Sequence, residues 1–193
     1  MRGRMTPGRN DRCEACMMRH EHCICDVTPT ITSPIPILVV RHWKERNKPS
    51  NTARLASLVI PNLRVIDYGA PESQWDPNTL DLPSPALLFP DPDADPLDYT
   101  PKSIVIVDGS WPQARKLVNK LPQLKAMPRI QVEPSAQPPI RLRQPPIPEG
   151  MSTIEAIARL LDLLSGPGSG TPLDALYQRV VEATIAARGR PLR

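Results

Sequence analysis

The chain has 193 residues, enough for one domain with a substantial core and a small appendage. A net charge of +4 and a pI near 9.0 favour an anionic partner, and nucleic acid is the commonest such partner. Aromatic residues make up only 4% of the chain, which argues against the base-stacking platforms of single-strand-binding proteins. No apolar run approaches the roughly 20 residues of a membrane helix, and no signal-peptide core follows Met1. We therefore expect a soluble, cytoplasmic protein.

All four cysteines lie in one short N-terminal segment, in the order Cys13-x2-Cys16-x6-Cys23-x-Cys25. A disulfide framework would distribute its cysteines over the fold, and it is typical of secreted chains. Four clustered thiolates instead predict a closed tetrahedral zinc site, which is structural because every ligand is a protein sulfur. His20 and His22 could replace a cysteine, and redox cysteines or an iron–sulfur cluster are the alternatives. We assign residues 1–30 to this zinc-binding module and residues 31–193 to a larger second domain.

Beyond the cysteines, the sequence alternates between strand and helix patterns. In chain order, the predicted strands cover residues 35–40, 63–68, 86–89, 104–107 and 129–132. The predicted helices cover residues 50–60, 112–121, 153–164 and 173–187. This alternation indicates the α/β class, with a mainly parallel sheet and helices on both faces. Irregular stretches over 70–84, 91–102 and 134–150 are long enough to be functional loops or disordered segments.

The most informative stretch runs from Ser103 to Trp111. Residues 104–107 are an unbroken β-branched run, typical of a strand that is buried on both faces of a parallel sheet. The run stops at Asp108, Gly109 permits a tight turn, and Ser110 is a good N-cap for the helix that follows. Ligands of open α/β sheets bind at such carboxyl ends. Asp108 is therefore a candidate catalytic residue, although an aspartate at this junction can also serve only as a helix cap.

Two further segments carry charge or capping signals. Basic residues follow the first strand and enter a helix N-terminus, where anions bind, or else form a solvated loop: Arg41, His42, Lys44, Arg46 and Lys48. Arg141 and Arg143 share one face if their segment is extended. Ser152-Thr153-x-Glu155 is a capping box, which gives Glu155 a structural role. The glycine-rich stretch 166–170 lacks a preceding strand and a following lysine, so it is a linker and not a phosphate loop.

Together these pieces resemble the DTW-domain family of tRNA-uridine aminocarboxypropyltransferases. The matching features occur in the family's order and cover the chain from about Cys13 to Leu164. They are the cysteine cluster, His42-x2-Glu45 with Ser50-Asn51-Thr52, Leu88-Phe89-Pro90, Asp108-Gly-Ser-Trp111, Arg141-x-Arg143 and Ser152-Thr-x-Glu155-Ala156. In one departure, Ser110 stands where the family usually has threonine, and the hydroxyl is retained.

The resemblance implies a fold related to the SPOUT methyltransferases, with a trefoil knot near the carboxyl end of the chain. It also implies S-adenosylmethionine as cofactor and transfer of its 3-amino-3-carboxypropyl group to N3 of a tRNA uridine. Uridine N3 is a weak acid and must lose its proton to attack. We therefore expect Asp108 to be the general base or the group that orients N3, with a pKa raised by partial burial.

The resemblance also guides the assignment of binding residues. The expected cofactor contacts are Leu88, Phe89, Pro90, Asp108, Gly109, Ser110, Trp111, Arg141, Arg143, Ser152, Thr153 and Glu155. Trp111 either packs on a base or fills the strand–helix junction. The two arginines hold either the methionyl carboxylate or an RNA phosphate, and the helix start at Ser152 is a second place for that carboxylate. Arg41, His42, Lys44, Arg46 and Lys48 are expected to contact the tRNA backbone.

Two other functions remain open at this point. The first is a tRNA methyltransferase of the same fold that uses the methyl group of the same cofactor. The second is a non-catalytic, zinc-containing module that binds nucleic acid. The position of Asp108 at a sheet edge disfavours the second, because phosphate binding does not require it. Nothing in the sequence marks a subunit interface, so a monomer is expected.

Overall fold

The computed structural model describes residues 11–91, 99–135, 140–145 and 150–188. Parts of the predicted N-terminal module and of two predicted irregular stretches lie outside these ranges. The described residues contain one five-stranded sheet in which every pairing is parallel, with the order β2-β1-β4-β3-β5. The strands are β1 (Ile37–His42), β2 (Leu63–Tyr68), β3 (Pro85–Leu88), β4 (Ser103–Asp108) and β5 (Arg129–Ile130). The predicted α/β class with a parallel sheet is confirmed.

Helices alternate with these strands. They are α1 (Thr52–Val59), α2 (Trp111–Lys120), α3 (Pro122–Ala126), α4 (Thr153–Ser165) and α5 (Thr171–Arg188). Short 3-10 turns cover His20–His22, Cys25–Val27, Trp43–Glu45 and Pro77–Leu80. The sequence did not predict α3, and β1 ends two residues later than predicted. Among the described residues, no helix combines the length and the apolar character that crossing a membrane requires.

The sheet separates two hydrophobic cores. Alternate residues of a strand point to opposite faces, so Ile37 and Val39 belong to one core while Leu38 and Val40 belong to the other. The first core contains the apolar residues of α1, α4 and α5, and the second contains those of α2 and α3. Helices therefore cover both faces, as predicted. Burial on both faces explains why the central strands are continuously apolar.

The strand order places a crevice between β1 and β4. From β1 the chain passes through α1 to β2 on one side, whereas from β4 it passes through α2 and α3 to β5 on the other side. The connections therefore diverge from two neighbouring strands. Ligands of open α/β sheets bind where connections diverge in this way, outside the carboxyl ends of the strands. Asp108 is the last residue of β4.

The N-terminal cysteine segment and the glycine-rich linker both pack onto this body. Cys16, Met18 and Ile24 are buried in the same core as α1, α4 and α5. The linker 166–170 connects α4 to α5, as predicted, and a Cβ on Gly170 would lie 2.1 Å from the Ala158 carbonyl oxygen. Only glycine permits this close approach between the start of α5 and the middle of α4.

Candidate active site and metal centre

A cavity of about 640 Å³ opens at the carboxyl ends of β3 and β4. The starts of α1 and α4 and the segment 140–145 complete its walls. The cavity brings together eleven residues that the sequence predicts to bind the cofactor: Leu88, Phe89, Pro90, Asp108, Gly109, Ser110, Trp111, Arg141, Arg143, Ser152 and Thr153. Glu155 is the one member of that predicted set that does not line it. The lining also includes residues that the sequence analysis did not assign to a ligand site, among them Glu45, Asn51 and Tyr177.

Asp108 lies in this cavity as a buried carboxylate with both oxygens engaged. Its exposed fraction is 6%. Asn51 donates from Nδ2 to Oδ2 at 2.5 Å, and Thr153 donates from Oγ1 to Oδ1 at 2.5 Å. Burial raises the pKa of Asp108, and the two hydrogen bonds oppose part of that rise because they stabilise the charged form. The site thus holds one carboxylate in a fixed plane, with a proton affinity above that of a free aspartate.

Asn51 connects Asp108 to the interior of the sheet. Its Oδ1 caps α1 by accepting the backbone N–H of Arg54 at 3.1 Å, and it also accepts from Arg41 Nη1 at 3.1 Å. Arg41 in turn donates from Nε to Asp67 at 2.7 Å. The Arg41 side chain is only 12% exposed. Its guanidinium is thus engaged by Asp67 and Asn51 inside the protein, and its contact with the tRNA backbone stays a prediction.

Arg141 forms a buried ion pair with Glu155. Its Nε and Nη2 lie 2.9 and 2.8 Å from Glu155 Oε1. The two side chains are 8% and 7% exposed. Glu155 also accepts from the backbone N–H and the hydroxyl of Ser152, which confirms the capping box. Arg141 lines the cavity, but its charge is neutralised by Glu155, so it is poorly suited to hold the cofactor carboxylate or an RNA phosphate.

Arg143 makes a second internal contact at the mouth of the cavity. It donates to Ser50 Oγ at 2.6 Å and to Glu45 Oε2 at 3.2 Å. Lys48 donates to the other oxygen of Glu45 at 2.5 Å. Burial tends to raise the pKa of Glu45, but the hydrogen bonds from Lys48 and Arg143 outweigh it and hold the pKa below its usual value. Glu45 thus joins the loop after β1 to the segment 140–145.

The remaining predicted RNA contacts lie at the end of β1 and in the loop after it. His42 accepts the backbone N–H of Lys44 on Nδ1 at 3.3 Å, and burial followed by the charge of Lys44 lowers its pKa. The ammonium group of Lys44 lies over the ring of Trp43. Arg46 pairs with Glu72, and the side chain of Lys48 is 45% exposed beside Glu45. These cations are close to the cavity, and their contact with RNA stays a prediction.

The turn after β4 presents an aromatic pair to the cavity. Phe89 and Trp111 stack with ring centroids 5.7 Å apart and an interplanar angle of 19°. Gly109 is tightly enclosed, because a Cβ there would lie 3.1 Å from Gln113 Cβ and 3.5 Å from His42 Cβ. Gln113 accepts the backbone N–H of Ser110 at 2.7 Å, which fixes the start of α2. The stacked pair gives the cavity a flat apolar wall.

The four cysteines form a separate cluster. Their Sγ atoms lie within 4.8 Å of one another, with Cys13 and Cys25 3.6 Å apart and Cys16 and Cys23 3.8 Å apart. A tetrahedral zinc site with Zn–S bonds of about 2.3 Å has sulfur–sulfur edges of about 3.8 Å, so the donor set fits zinc. Backbone N–H groups, with that of Cys16 the strongest, lower the pKa of Cys13 to about 6, whereas burial raises the pKa of Cys16 and of Cys25. Cys13 is therefore the thiolate available first, and a bound metal would favour the thiolate form of the others. The cluster could therefore hold a metal, without His20 or His22.

The described residues thus form a parallel α/β domain with a cavity at its switch point and a separate cysteine cluster that could hold a metal. The DTW domain matches residues 10–185 of the chain. Because this match covers most of the sequence, the chain belongs to the DTW-domain family. The resemblance seen in the motifs is thereby confirmed.

Two curated proteins are similar to this chain over most of its length. One is tRNA-uridine aminocarboxypropyltransferase 2 of Drosophila melanogaster, 25% identical over 171 residues, which are 82% of this chain and 68% of the fly protein. The other is tRNA-uridine aminocarboxypropyltransferase 2 of Macaca fascicularis, 24% identical over 170 residues, which are 81% of this chain and 57% of the macaque protein. The matched segment thus spans little more than half of the macaque protein. No solved structure matches the chain significantly.

Proposed function

We propose that this protein is a tRNA-modifying transferase that moves the 3-amino-3-carboxypropyl group of S-adenosylmethionine to N3 of a uridine in tRNA. Membership in the DTW-domain family and the names of its curated relatives support a tRNA-modifying transferase. The observation that carries the finer proposal is the buried carboxylate of Asp108, held by two hydrogen bonds in a cavity at the sheet's carboxyl edge.

The cavity residues fit the proposed cosubstrate. A volume of about 640 Å³ falls within the range of sites for small organic ligands. Phe89 and Trp111 offer an apolar wall suited to an adenine ring. At the start of α4, the backbone N–H groups of Ser152, Ile154 and Glu155 already donate to Glu155, Thr52 and the Ser152 hydroxyl. Glu155 also neutralises Arg141. We therefore assign the methionyl carboxylate to the backbone N–H of Thr153 or to the guanidinium of Arg143, both of which lie on the cavity wall.

The transfer requires one proton to move and one bond to exchange. S-adenosylmethionine supplies a carbon activated by the sulfonium, so that bond formation from uridine N3 breaks the carbon–sulfur bond and leaves its electron pair on sulfur. The proton of N3 passes to Asp108, or the carboxylate orients N3 while water accepts the proton. Burial raises the pKa of Asp108, and this makes it a better base than a free aspartate. Fixed placement of the reacting groups selects the aminocarboxypropyl carbon over the methyl carbon.

Other parts of the chain take supporting roles in this proposal. His42, Lys44, Arg46 and Lys48 contact the tRNA backbone beside the cavity, where Lys44 and Arg46 project from the loop after β1. The cysteine cluster binds structural zinc. We also propose that the chain after β5 follows the SPOUT-type path with its trefoil knot, and an experimental structure of the whole chain would test that path.

The experiment incubates purified protein with unmodified tRNA and S-adenosylmethionine, then weighs the digested nucleosides. We expect a uridine that is heavier by one aminocarboxypropyl group. Asp108→Asn keeps the shape of the side chain and should lower the rate about 10²-fold or more, with tRNA binding unchanged. Asp81→Asn, at an exposed position, is the matched control. Full activity of Asp108→Asn would remove Asp108 from the mechanism.

Two results would favour the competing functions. A methyl gain on the nucleoside would favour the methyltransferase of the same fold and cofactor. Absence of S-adenosylmethionine binding by calorimetry would favour the non-catalytic, zinc-containing nucleic-acid-binding module.

A further inference from the structure

Asn51 is a buried amide whose orientation is determined by its surroundings. It is 2% exposed and belongs to a different element from Asp108, the residue it contacts. We propose that Asn51 is a positioning residue, which holds the carboxylate of Asp108 in its reactive plane and in its ionised form. This inference rests on the proposed role of Asp108 in the transfer.

The neighbours of Asn51 determine which way its side-chain amide faces. Asn51 Oδ1 faces two groups that can only donate, the Nη1 of Arg41 and the backbone N–H of Arg54, each at 3.1 Å. Reversing the amide would set its NH₂ group against both donors and its oxygen against the carboxylate of Asp108. The amide therefore has one satisfactory orientation. Its Nδ2 must donate to Asp108, and the distance is 2.5 Å.

Other contacts hold the Asn51 amide in this orientation. Arg41 is held by Asp67 through its Nε at 2.7 Å, so the donor to Asn51 is itself fixed. Asn51 is also the N-cap of α1, which ties the amide to the first turn of that helix. The chain of contacts Asp67–Arg41–Asn51–Asp108 thus runs from β2 through β1 and α1 to the end of β4. A side chain held in this way keeps its hydrogen bond in the free enzyme, so no reorganisation is needed when substrate binds.

The groups around Asp108 determine how easily its carboxylate stays ionised. The charged groups around it are Arg41 on β1 and Arg54 on α1, which favour its ionised form, and Glu45 in the loop after β1, which opposes it. The hydroxyl of Thr153, on α4, donates a hydrogen bond to the Asp108 carboxylate. Burial disfavours the charge, so each donated hydrogen bond matters for keeping a carboxylate ready to accept a proton. Asn51 supplies the donor to Oδ2.

Asn51→Asp tests this role with little change of shape. Aspartate still caps α1 and still accepts from Arg41, but it replaces the N–H donor with an oxygen and brings a second negative charge against Asp108. Two carboxylates at hydrogen-bond distance cannot both ionise easily, so the pKa of Asp108 should rise by about one unit or more. The acid limb of the pH–rate profile should shift upward by the same amount. The rate at neutral pH should fall and recover at higher pH, while KM for tRNA stays unchanged.

Asn62→Asp is the matched control. Asn62 precedes the amino end of β2, whereas Asp108 lies at the carboxyl end of β4. The Asn62 amide donates to the Ser33 carbonyl. The Asn62→Asp substitution changes an amide to a carboxylate just as Asn51→Asp does, but far from Asp108. We therefore expect no shift of its pH–rate profile. If Asn51→Asp does not fold, Asn51→Gly keeps an acceptable N-cap residue and removes the donor without adding charge. That variant should shift the profile in the same direction by a smaller amount. A profile identical to that of the wild type in the folded variant would overturn the proposal.

A second readout separates this inference from the proposed reaction. Carbon-13 label in the aspartate carboxyl groups lets NMR follow the titration of Asp108, whose signal is identified by its loss in Asp108→Asn. A higher midpoint in Asn51→Asp than in wild type and Asn62→Asp supports the action of Asn51 on Asp108, whatever the reaction. An unchanged midpoint overturns it. If the midpoint moves but wild-type protein yields no aminocarboxypropyl uridine, the proposed function fails while the effect of Asn51 stands.

Discussion

The buried ion pair between Arg141 and Glu155 should contribute measurably to the free energy of unfolding. Its side chains are 8% and 7% exposed, so removing one charge leaves the other buried without a counter-charge. Breaking such a pair costs about 3–5 kcal/mol. Glu155→Gln retains the capping-box geometry and one acceptor for Arg141, so we expect the lower end, about 3 kcal/mol. For a chain of this size, that corresponds to a fall in Tm of about 6–12 °C.

Calorimetric unfolding of a double-mutant cycle measures this value. Glu155→Gln and Arg141→Met should each destabilise the protein, and the double variant should lose less than the sum because it leaves no unpaired charge. Glu72→Gln is the control, because it removes a charge from the exposed pair with Arg46 and should change nothing measurable. The reasoning is refuted if Glu155→Gln and Arg141→Met both unfold like the wild type. If Arg141→Met is fully stable but binds S-adenosylmethionine more weakly than the wild type, Arg141 contacts the bound ligand.

Two further predictions concern the metal and the RNA. The purified protein should contain about one zinc per chain by atomic absorption, and a strong chelator should remove it and lower Tm; iron, or no metal at all, would contradict the zinc assignment. Replacing Lys44 and Arg46 together with alanine should weaken tRNA binding and reduce the slope of log affinity against log salt by about one unit per lost contact. Lys102→Ala removes a charge at the opposite edge of the sheet and should leave that slope unchanged, and an unchanged slope in the double variant would exclude Lys44 and Arg46 as contacts.

Local sequence patterns predicted the strands and the long helices well. The run 104–107 was predicted to be buried on both faces, and β4 is buried along almost its whole length. The limits of β2 were also correct, since an apolar start and a closing glycine bound it. Local pattern failed at Pro122, which reads as the stop signal of one helix but serves as the first residue of α3. Proline marks a helix end and a helix start equally well, and only the tertiary context separates them.

The candidate site was predictable where its signal was local and unpredictable where it depended on distant partners. Asp108 follows from a strand, a turn and a helix that are contiguous in the chain. Arg141 and Arg143 have no such local information about their partners: Arg143 pairs with Glu45, 98 residues away. Asn51 contacts Asp108 across 57 residues. An arginine in a charged loop has the same sequence signature whether it binds a phosphate or a buried carboxylate, so the local pattern could not predict the partners Glu155 and Glu45.

Helix α1 links the cysteine cluster to the candidate active site, so a metal bound at the cluster would influence the proposed transfer only indirectly. Cys16 is fully buried in the core that also contains Leu55 and Ala56 of α1. The N-cap of the same helix is Asn51, whose amide donates to Asp108. Loss of the metal would free the cysteine segment and remove part of the cover over this helix. Any effect of the metal on transfer would therefore pass through the position of α1 and the hydrogen bond from Asn51, not through direct contact with the reacting groups.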